Sequence, residues 1–430
     1  MNLLTGPMPD WLKRAIGIAG LLLALPGLPI AAGFCCLAPM VVMAGDGDSP
    51  GPFLFLLVFV ALTVGAGGAT FLHALRSLQG RPSSPLRLPA AWAMAGLFIF
   101  FVVTGLAVGG ANLAPGLFFP PLLLVAAALP PLAAVAWFLG GAQAEGLTWR
   151  RGLVAAASGA TAGVGIAIVL EILLPLLVLS LVAGLAAVVR DSAQALFDAL
   201  AGQKVSAAIT SPGFIFAFVQ FAVIAPLAEE LAKPLATLPL IGRLSRRDAF
   251  LVAATAGAGF AALENVLYAG FVPFWAGILV VRALGSAIHP LGAGLVGLGW
   301  RDVLNGEPDA WPRWLLRFGA AAGMHALWNG GSLLVITLAG ARFFGELPPE
   351  IDVLGLSAAG TTLALLVVLG LAALWMGRAV AQGARLPGEL PAEPVELEFA
   401  LSNRTVAIWG LACLAAIVPA GIAGLQLLMK

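Results

Sequence analysis

Leu88–Val108 reads LPAAWAMAGLFIFFVVTGLAV, without one charged side chain. A bilayer's hydrocarbon core is about 30 Å thick and a helix rises about 1.5 Å per residue, so roughly 20 apolar residues make one crossing. This run supplies them. Working outward, comparable runs recur along the whole chain, at Ala15–Val42, Pro52–Leu75, Leu117–Leu139, Leu153–Val189, Phe214–Ile241, Ala249–Gly270, Phe274–Trp300, Phe318–Leu338, Val353–Met376 and Val406–Leu428. Hydrophobic residues make up 61% of the chain and charged residues 10%, against about 25% charged in a soluble domain. The fold class is therefore all-α and polytopic, with about eleven transmembrane helices. The net charge of +1 says nothing about a nucleic-acid partner, and with no basic stretch that resembles a binding site none is expected. Cys35, Cys36 and Cys413 all lie in apolar runs, which reads as small core hydrophobes rather than a disulfide framework.

Loop charge orients the bundle. With a cytoplasmic N-terminus, only Arg190, Lys204, Arg342 and Lys430 fall on the outer side, and Lys233 and Arg282 lie inside spans. The remaining Lys and Arg are inner, as the positive-inside rule asks. Lys13-Arg14 precedes the first run as in a signal peptide, but that run continues through Pro26, Pro29 and Pro39 without a small-residue cleavage site, which predicts a retained span. The fifth run is too long for one crossing. Pro175 is expected to end it, with Leu176–Ala201 lying along the outer interface. Gly377–Asn403 reads as a cytoplasmic linker.

Charge inside the spans is concentrated in the sixth to ninth. They hold Glu229, Glu230, Lys233, Glu264, Asn265, Arg282, His289, His325 and Asn329. Each charged group at mid-membrane costs roughly 2.5–3.5 kcal/mol on the insertion scale, so the concentration requires a reason. Glu229 and Lys233 are one turn apart, as are His325 and Asn329, and Arg282 and His289 are two turns apart. Each pair shares a helix face. Counted from the inner span ends, Glu229, His289 and Asn329 lie roughly 17 Å deep, and Glu264 and His325 fall within a turn or so of that level. Pro234 and Pro290 follow Lys233 and His289, which predicts that the carbonyls of Glu230 and Ser286 lose their helical partners.

Four motifs now stand in order on four consecutive spans: Glu229-Glu230-Leu-Ala-Lys233, Phe260-Ala-Ala-Leu-Glu264-Asn265, Arg282 followed by His289, and His325-Ala-Leu-Trp-Asn329. In this the chain resembles the PrsW family of intramembrane proteases, within the larger group that includes the CAAX prenyl endopeptidases. The resemblance covers about Phe214–Leu338. It implies a three-part organisation: transmembrane helices over 1–212, a four-helix catalytic core over 213–340, and further helices with the linker over 341–430. It also implies hydrolysis of a peptide bond in a membrane-anchored protein. In the related prenyl endopeptidases a glutamate and a histidine activate water while a histidine and an asparagine stabilise the oxyanion. Here the second motif ends in Glu264 where those relatives have histidine, which leaves the general base open.

The residues themselves fit that chemistry. Hydrolysis needs a base for water, donors for the developing oxyanion and an acid for the leaving amine. Glu229 or Glu230 serves as base, His325 and Asn329 as oxyanion donors, and Glu264 and His289 complete the catalytic set. Lys233, Asn265 and Arg282 supply charge and orientation. A zinc or other divalent metal on His289, His325 and a glutamate is the alternative. The absence of H-E-x-x-H favours metal-free catalysis with no cofactor. A proton-coupled transporter is a rival reading, because buried Glu, His and Arg also build proton relays, but the first five spans hold no matching polar set. A non-catalytic membrane scaffold is another. The expected setting is the plasma or inner membrane, with a membrane-anchored protein as substrate, the bilayer as surroundings, and no particular oligomeric state indicated.

Overall fold

The computed structural model describes residues 10–25, 27–28, short stretches between 60 and 79, 85–110, 115–140, 146–182, 212–235, 237–242, 244–269, 275–343 and 349–383. Among these there is no strand, only an isolated bridge between Pro85 and Thr148. The helices are α1 Asp10–Ala24, α2 Ala91–Gly110, α3 Pro115–Leu139, α4 Trp149–Ser158, α5 Val164–Val182, α6 Pro212–Val219, α7 Ala225–Leu235, α8 Leu238–Ile241, α9 Arg246–Ala269, α10 Trp275–Gly285, α11 Ile288–Leu304, α12 Ala310–Phe343 and α13 Pro349–Gly383. A π-helical segment, Gly159–Gly163, joins α4 to α5, and another, Gln220–Ile224, joins α6 to α7.

Among the described residues, six helical stretches are long and apolar enough to cross a membrane: Leu122–Leu139, Trp149–Pro175, Phe214–Leu235, Arg246–Ala269, Trp275–Leu304 and Ser357–Gly383. The chain is a multi-pass helical membrane protein. The third predicted span appears as the shorter apolar helix Ala91–Ala107. The ninth lies within α12, whose 34 residues are long enough but are diluted by Arg313, Arg317, His325 and Asn329. The first two runs are described only in part, and the eleventh, Val406–Leu428, lies outside the described residues.

Two expectations need correction, the continuity of the eighth run and the start of the linker. The fifth run's membrane-crossing stretch ends at Pro175 as expected, although helix α5 itself runs on to Val182. A proline removes the donor to the carbonyl four residues back, here Glu171, and the Gln220 side chain approaches that carbonyl at 3.5 Å. A neighbouring helix thus re-satisfies the freed group. Residues 183–201 of the expected interfacial piece lie outside the described residues. The eighth run is broken at Ser286–Ala287 rather than continuous, and α11 begins at Ile288. Pro290 therefore falls in a first turn, where its missing N–H costs nothing. The linker starts later than expected, because α13 stays helical through Gly383.

Helix α9 is the axis of the bundle. Every side chain from Arg247 to Ala261 is buried, so this helix has no solvent or lipid stripe over that length. Association inside a bilayer rests on close packing more than on the hydrophobic effect. Two glycines provide it. A Cβ on Gly159 would meet the Ala256 carbonyl at 1.9 Å, and one on Gly259 would meet the Ala156 carbonyl at 1.9 Å. The α4–α9 crossing is therefore backbone against backbone. Phe138, Phe250, Ile288 and Leu291 fill the core beside it, linking α3, α9 and α11.

Candidate active site

Helix α7 brings three charges together by spacing alone. Residues three and four apart share a face. Lys233 Nζ lies 2.7 Å from Glu230 Oε1 and 3.0 Å from Glu229 Oε2. All three side chains are buried, Lys233 completely. An ammonium at this depth is tolerable because two carboxylates compensate it. The Phe260 ring covers it from α9, 4.6 Å from Nζ to the ring centre.

The broken helix supplies the next group. His289 sits in the first turn of α11, its Nδ1 4.0 Å from Glu229 Oε2 and its Nε2 3.3 Å from Glu264 Oε2. The partial positive charge of a helix N-terminus suits the surrounding carboxylates. At the break, the Ser286 hydroxyl donates to the Arg282 carbonyl at 2.8 Å, so the interruption leaves that group satisfied. Gly292, one turn on, makes room for Glu230: a Cβ there would meet Glu230 Oε2 at 2.3 Å.

His325, fully buried on α12, donates from Nδ1 to Glu230 Oε1 at 2.9 Å, with its Nε2 3.8 Å from Glu229 Oε2. Its ring lies 4.7 Å from that of His289, edge to face. Glu264 is held from its other side by Arg282 Nη2 at 2.8 Å. Arg282 Nε in turn donates to Asn265 Oδ1 at 2.6 Å, and Asn265 Nδ2 donates to the Ala127 carbonyl of α3 at 2.9 Å. Glu229, Glu230, Lys233, Glu264, His289 and His325 thus meet directly, while Arg282 and Asn265 join through Glu264. Asn329 stands at the edge. It is half-buried, and its amide donates to the Phe221 carbonyl in the π-helical segment at 2.9 Å.

Three contributors were not singled out by the charge pattern. Phe260 caps the lysine, and its signal was its place one turn before Glu264 on the same face. Gly292 and the Phe221 carbonyl carry no polar side chain, so only the packed structure reveals them.

Glu229, His289 and His325 each present one donor atom, and the three atoms lie within 4.8 Å of one another. His289 Nδ1 and His325 Nε2 are buried and have no hydrogen-bond partner among the described residues. Glu229 Oε2 has no directed hydrogen bond either, its contact with Lys233 being an ion pair by distance. In a tetrahedral zinc site with bonds of about 2.0–2.2 Å the donor atoms would be about 3.3 Å apart. The observed 3.8 and 4.0 Å approach that. Behind each histidine stands a carboxylate, Glu230 at His325 and Glu264 at His289. This arrangement turns a ring nitrogen lone pair toward a metal and raises its basicity. The donor set fits a divalent metal.

These features define a helical membrane protein with a buried carboxylate–histidine site assembled from consecutive spans. Residues 148–348 match the family model of the PrsW family intramembrane metalloproteases, so this segment is similar to a family of membrane peptidases. No curated protein and no solved structure matches the chain.

Proposed function

We propose that the chain is an intramembrane endopeptidase that hydrolyses a peptide bond of a membrane-anchored protein at Glu229, His289 and His325. The observation that carries this reading is the convergence of three buried donor atoms from α7, α11 and α12, two of them histidine nitrogens without partners and both backed by carboxylates. The catalytic core spans residues 213–340, with the segments 1–212 and 341–430 flanking it. The protein has about eleven spans in a plasma or inner membrane, and its N-terminus is cytoplasmic.

Glu229, His289 and His325 are the residues that would hold a divalent metal, which when bound would acidify a water and polarise the scissile carbonyl. The lack of H-E-x-x-H argued against a metal because that motif sets two ligands on one helix. Here three helices contribute one ligand each. Glu230 fixes the His325 tautomer by accepting from Nδ1, and Glu264 does the corresponding work at His289 Nε2. Arg282 and Asn265 hold Glu264 in place, and Lys233 balances the two carboxylates of α7. One specific observation favours a metal-free variant: the Lys233 ammonium already lies 3.0 Å from the converging Glu229 oxygen. In that variant Glu229 takes the proton from water and returns it to the leaving amine.

Asn329 has one amide N–H on the Phe221 carbonyl and a second to offer a developing oxyanion one turn beyond His325. Single-turnover cleavage of a panel of single-span substrates by the purified protein tests the activity itself. Turnover of a cleaved substrate should fall about 10²–10³-fold in Asn329→Ala with substrate binding little changed. Equal loss of binding and turnover would assign Asn329 to packing against the π-helical segment Gln220–Ile224 instead. Absence of any cleavage across the panel would favour the transporter or scaffold readings.

A further inference from the structure

Well away from the catalytic cluster, where α9 begins, α11 ends and α12 begins, four arginines gather on two carboxylates. Asp302, fully buried, has Arg317 Nη1 at 2.8 Å, Arg246 Nη2 at 3.2 Å, Arg301 Nη1 at 3.3 Å and Arg313 Nε at 3.9 Å. Glu307 takes Arg246 Nη1 at 3.0 Å, Arg313 Nη2 at 3.3 Å and also Arg301. Asp309, exposed in the same turn, pairs with none of them among the described residues. Each guanidinium carries five N–H donors, so the cluster keeps positive charge and donors that these two carboxylates do not use.

Apolar groups adjoin this charge. Trp300, Trp311 and Trp314 pack ring to ring, with centroids 5.0–6.0 Å apart. Trp311 is exposed, as are Leu315 and Leu316 in the next turn, Leu316 to 74%. Tryptophan marks the headgroup level of a bilayer, and the loop charges assign this end of the bundle to the cytoplasm. A surplus of guanidinium beside tryptophan and exposed leucine fits a ligand that is anionic at one end and apolar at the other.

We propose that this cluster binds the headgroup of an anionic phospholipid from the inner leaflet, with its phosphate at Arg313 and its acyl chains along Leu315 and Leu316. Arg313 is the entry point because its side chain is 38% exposed, against 15–17% for the other three. Guanidinium binds phosphate oxygens through paired N–H groups, and the leucines distinguish a lipid from a free phosphate. An occupant would tie together α9, α11 and α12, the helices that carry Glu264, His289 and His325.

The test is titration of the full-length protein in neutral detergent with short-chain phosphatidylglycerol, short-chain phosphatidylcholine and inorganic phosphate. Phosphatidylglycerol should bind at least about fivefold tighter than phosphatidylcholine, and added salt should reduce the difference. Arg313→Gln should weaken phosphatidylglycerol about fivefold, leave phosphatidylcholine unchanged, and be largely rescued by Arg313→Lys. Equal affinity of the wild-type protein for the two lipids would overturn the proposal whether or not the variants fold. So would an unaltered phosphatidylglycerol affinity in a well-folded Arg313→Gln. Displacement of the lipid by inorganic phosphate at matched concentration would assign the cluster to a soluble phosphate and overturn the lipid source.

Discussion

Glu229→Gln is expected to lower single-turnover cleavage of a membrane-anchored substrate by about 10²–10⁴-fold while the protein still folds and inserts. Glutamine keeps the size and polarity of the side chain but cannot take a proton, and it is a poor substitute for a carboxylate ligand. The variant therefore fails whether Glu229 serves as base or holds a metal. The fold should survive, because Lys233 keeps Glu230 at 2.7 Å as its counter-ion. Substrate affinity should change little, since the loss belongs to the chemical step. Near-wild-type cleavage by Glu229→Gln would remove this residue from the reaction and leave Glu230 or Glu264 to carry it.

Lys233→Ala is expected to act on stability first. Lys233 is fully buried and touches both Glu229 and Glu230, with Phe260 closing over it. Removing one partner of a buried ion pair typically costs about 3–5 kcal/mol, because the remaining charge has neither water nor a cation. Here two carboxylates would be stranded, so expression and the detergent melting midpoint should fall together with activity. His325, already on Glu230 at 2.9 Å, offers only partial relief. A wild-type melting midpoint in Lys233→Ala would mean that the glutamates do not depend on this cation. The contrast with Glu229→Gln separates a residue that holds the site together from one that reacts.

Much of this was legible in the chain, for definite reasons. Leu88–Val108 and its neighbours announce a membrane protein because hydrocarbon tolerates only apolar side chains over a crossing. Glu229, Lys233, His289 and His325 stand out because charge is costly there. Helical spacing was enough to put Glu229 and Lys233 on one face. What spacing could not give was contact between helices. That Glu264 backs His289 and Glu230 backs His325 depends on the rotation of α9, α11 and α12 about their axes, which no pattern within a single helix fixes. The break at Ser286–Ala287 was hidden because the residues on both sides are apolar enough to read as one span. Pro175 ends the apolar crossing but not the helix, since a proline stops a helix only where nothing nearby takes up the freed carbonyl, and Gln220 approaches that of Glu171. Asn329 shared a face with His325 as its spacing required, yet its amide turns to Phe221 because the π-helical segment brings that carbonyl within reach.

Whether Glu229, His289 and His325 form one metal-holding hydrolytic site is decided by elemental analysis of the purified full-length protein, run on the same samples as the cleavage assay. The wild-type protein should carry about one divalent metal ion per chain, lost together with cleavage in His289→Ala and His325→Ala and on chelation. Full cleavage by protein stripped of metal would contradict a metal-holding site, and the same three side chains would then have to act with Lys233 as their only added charge.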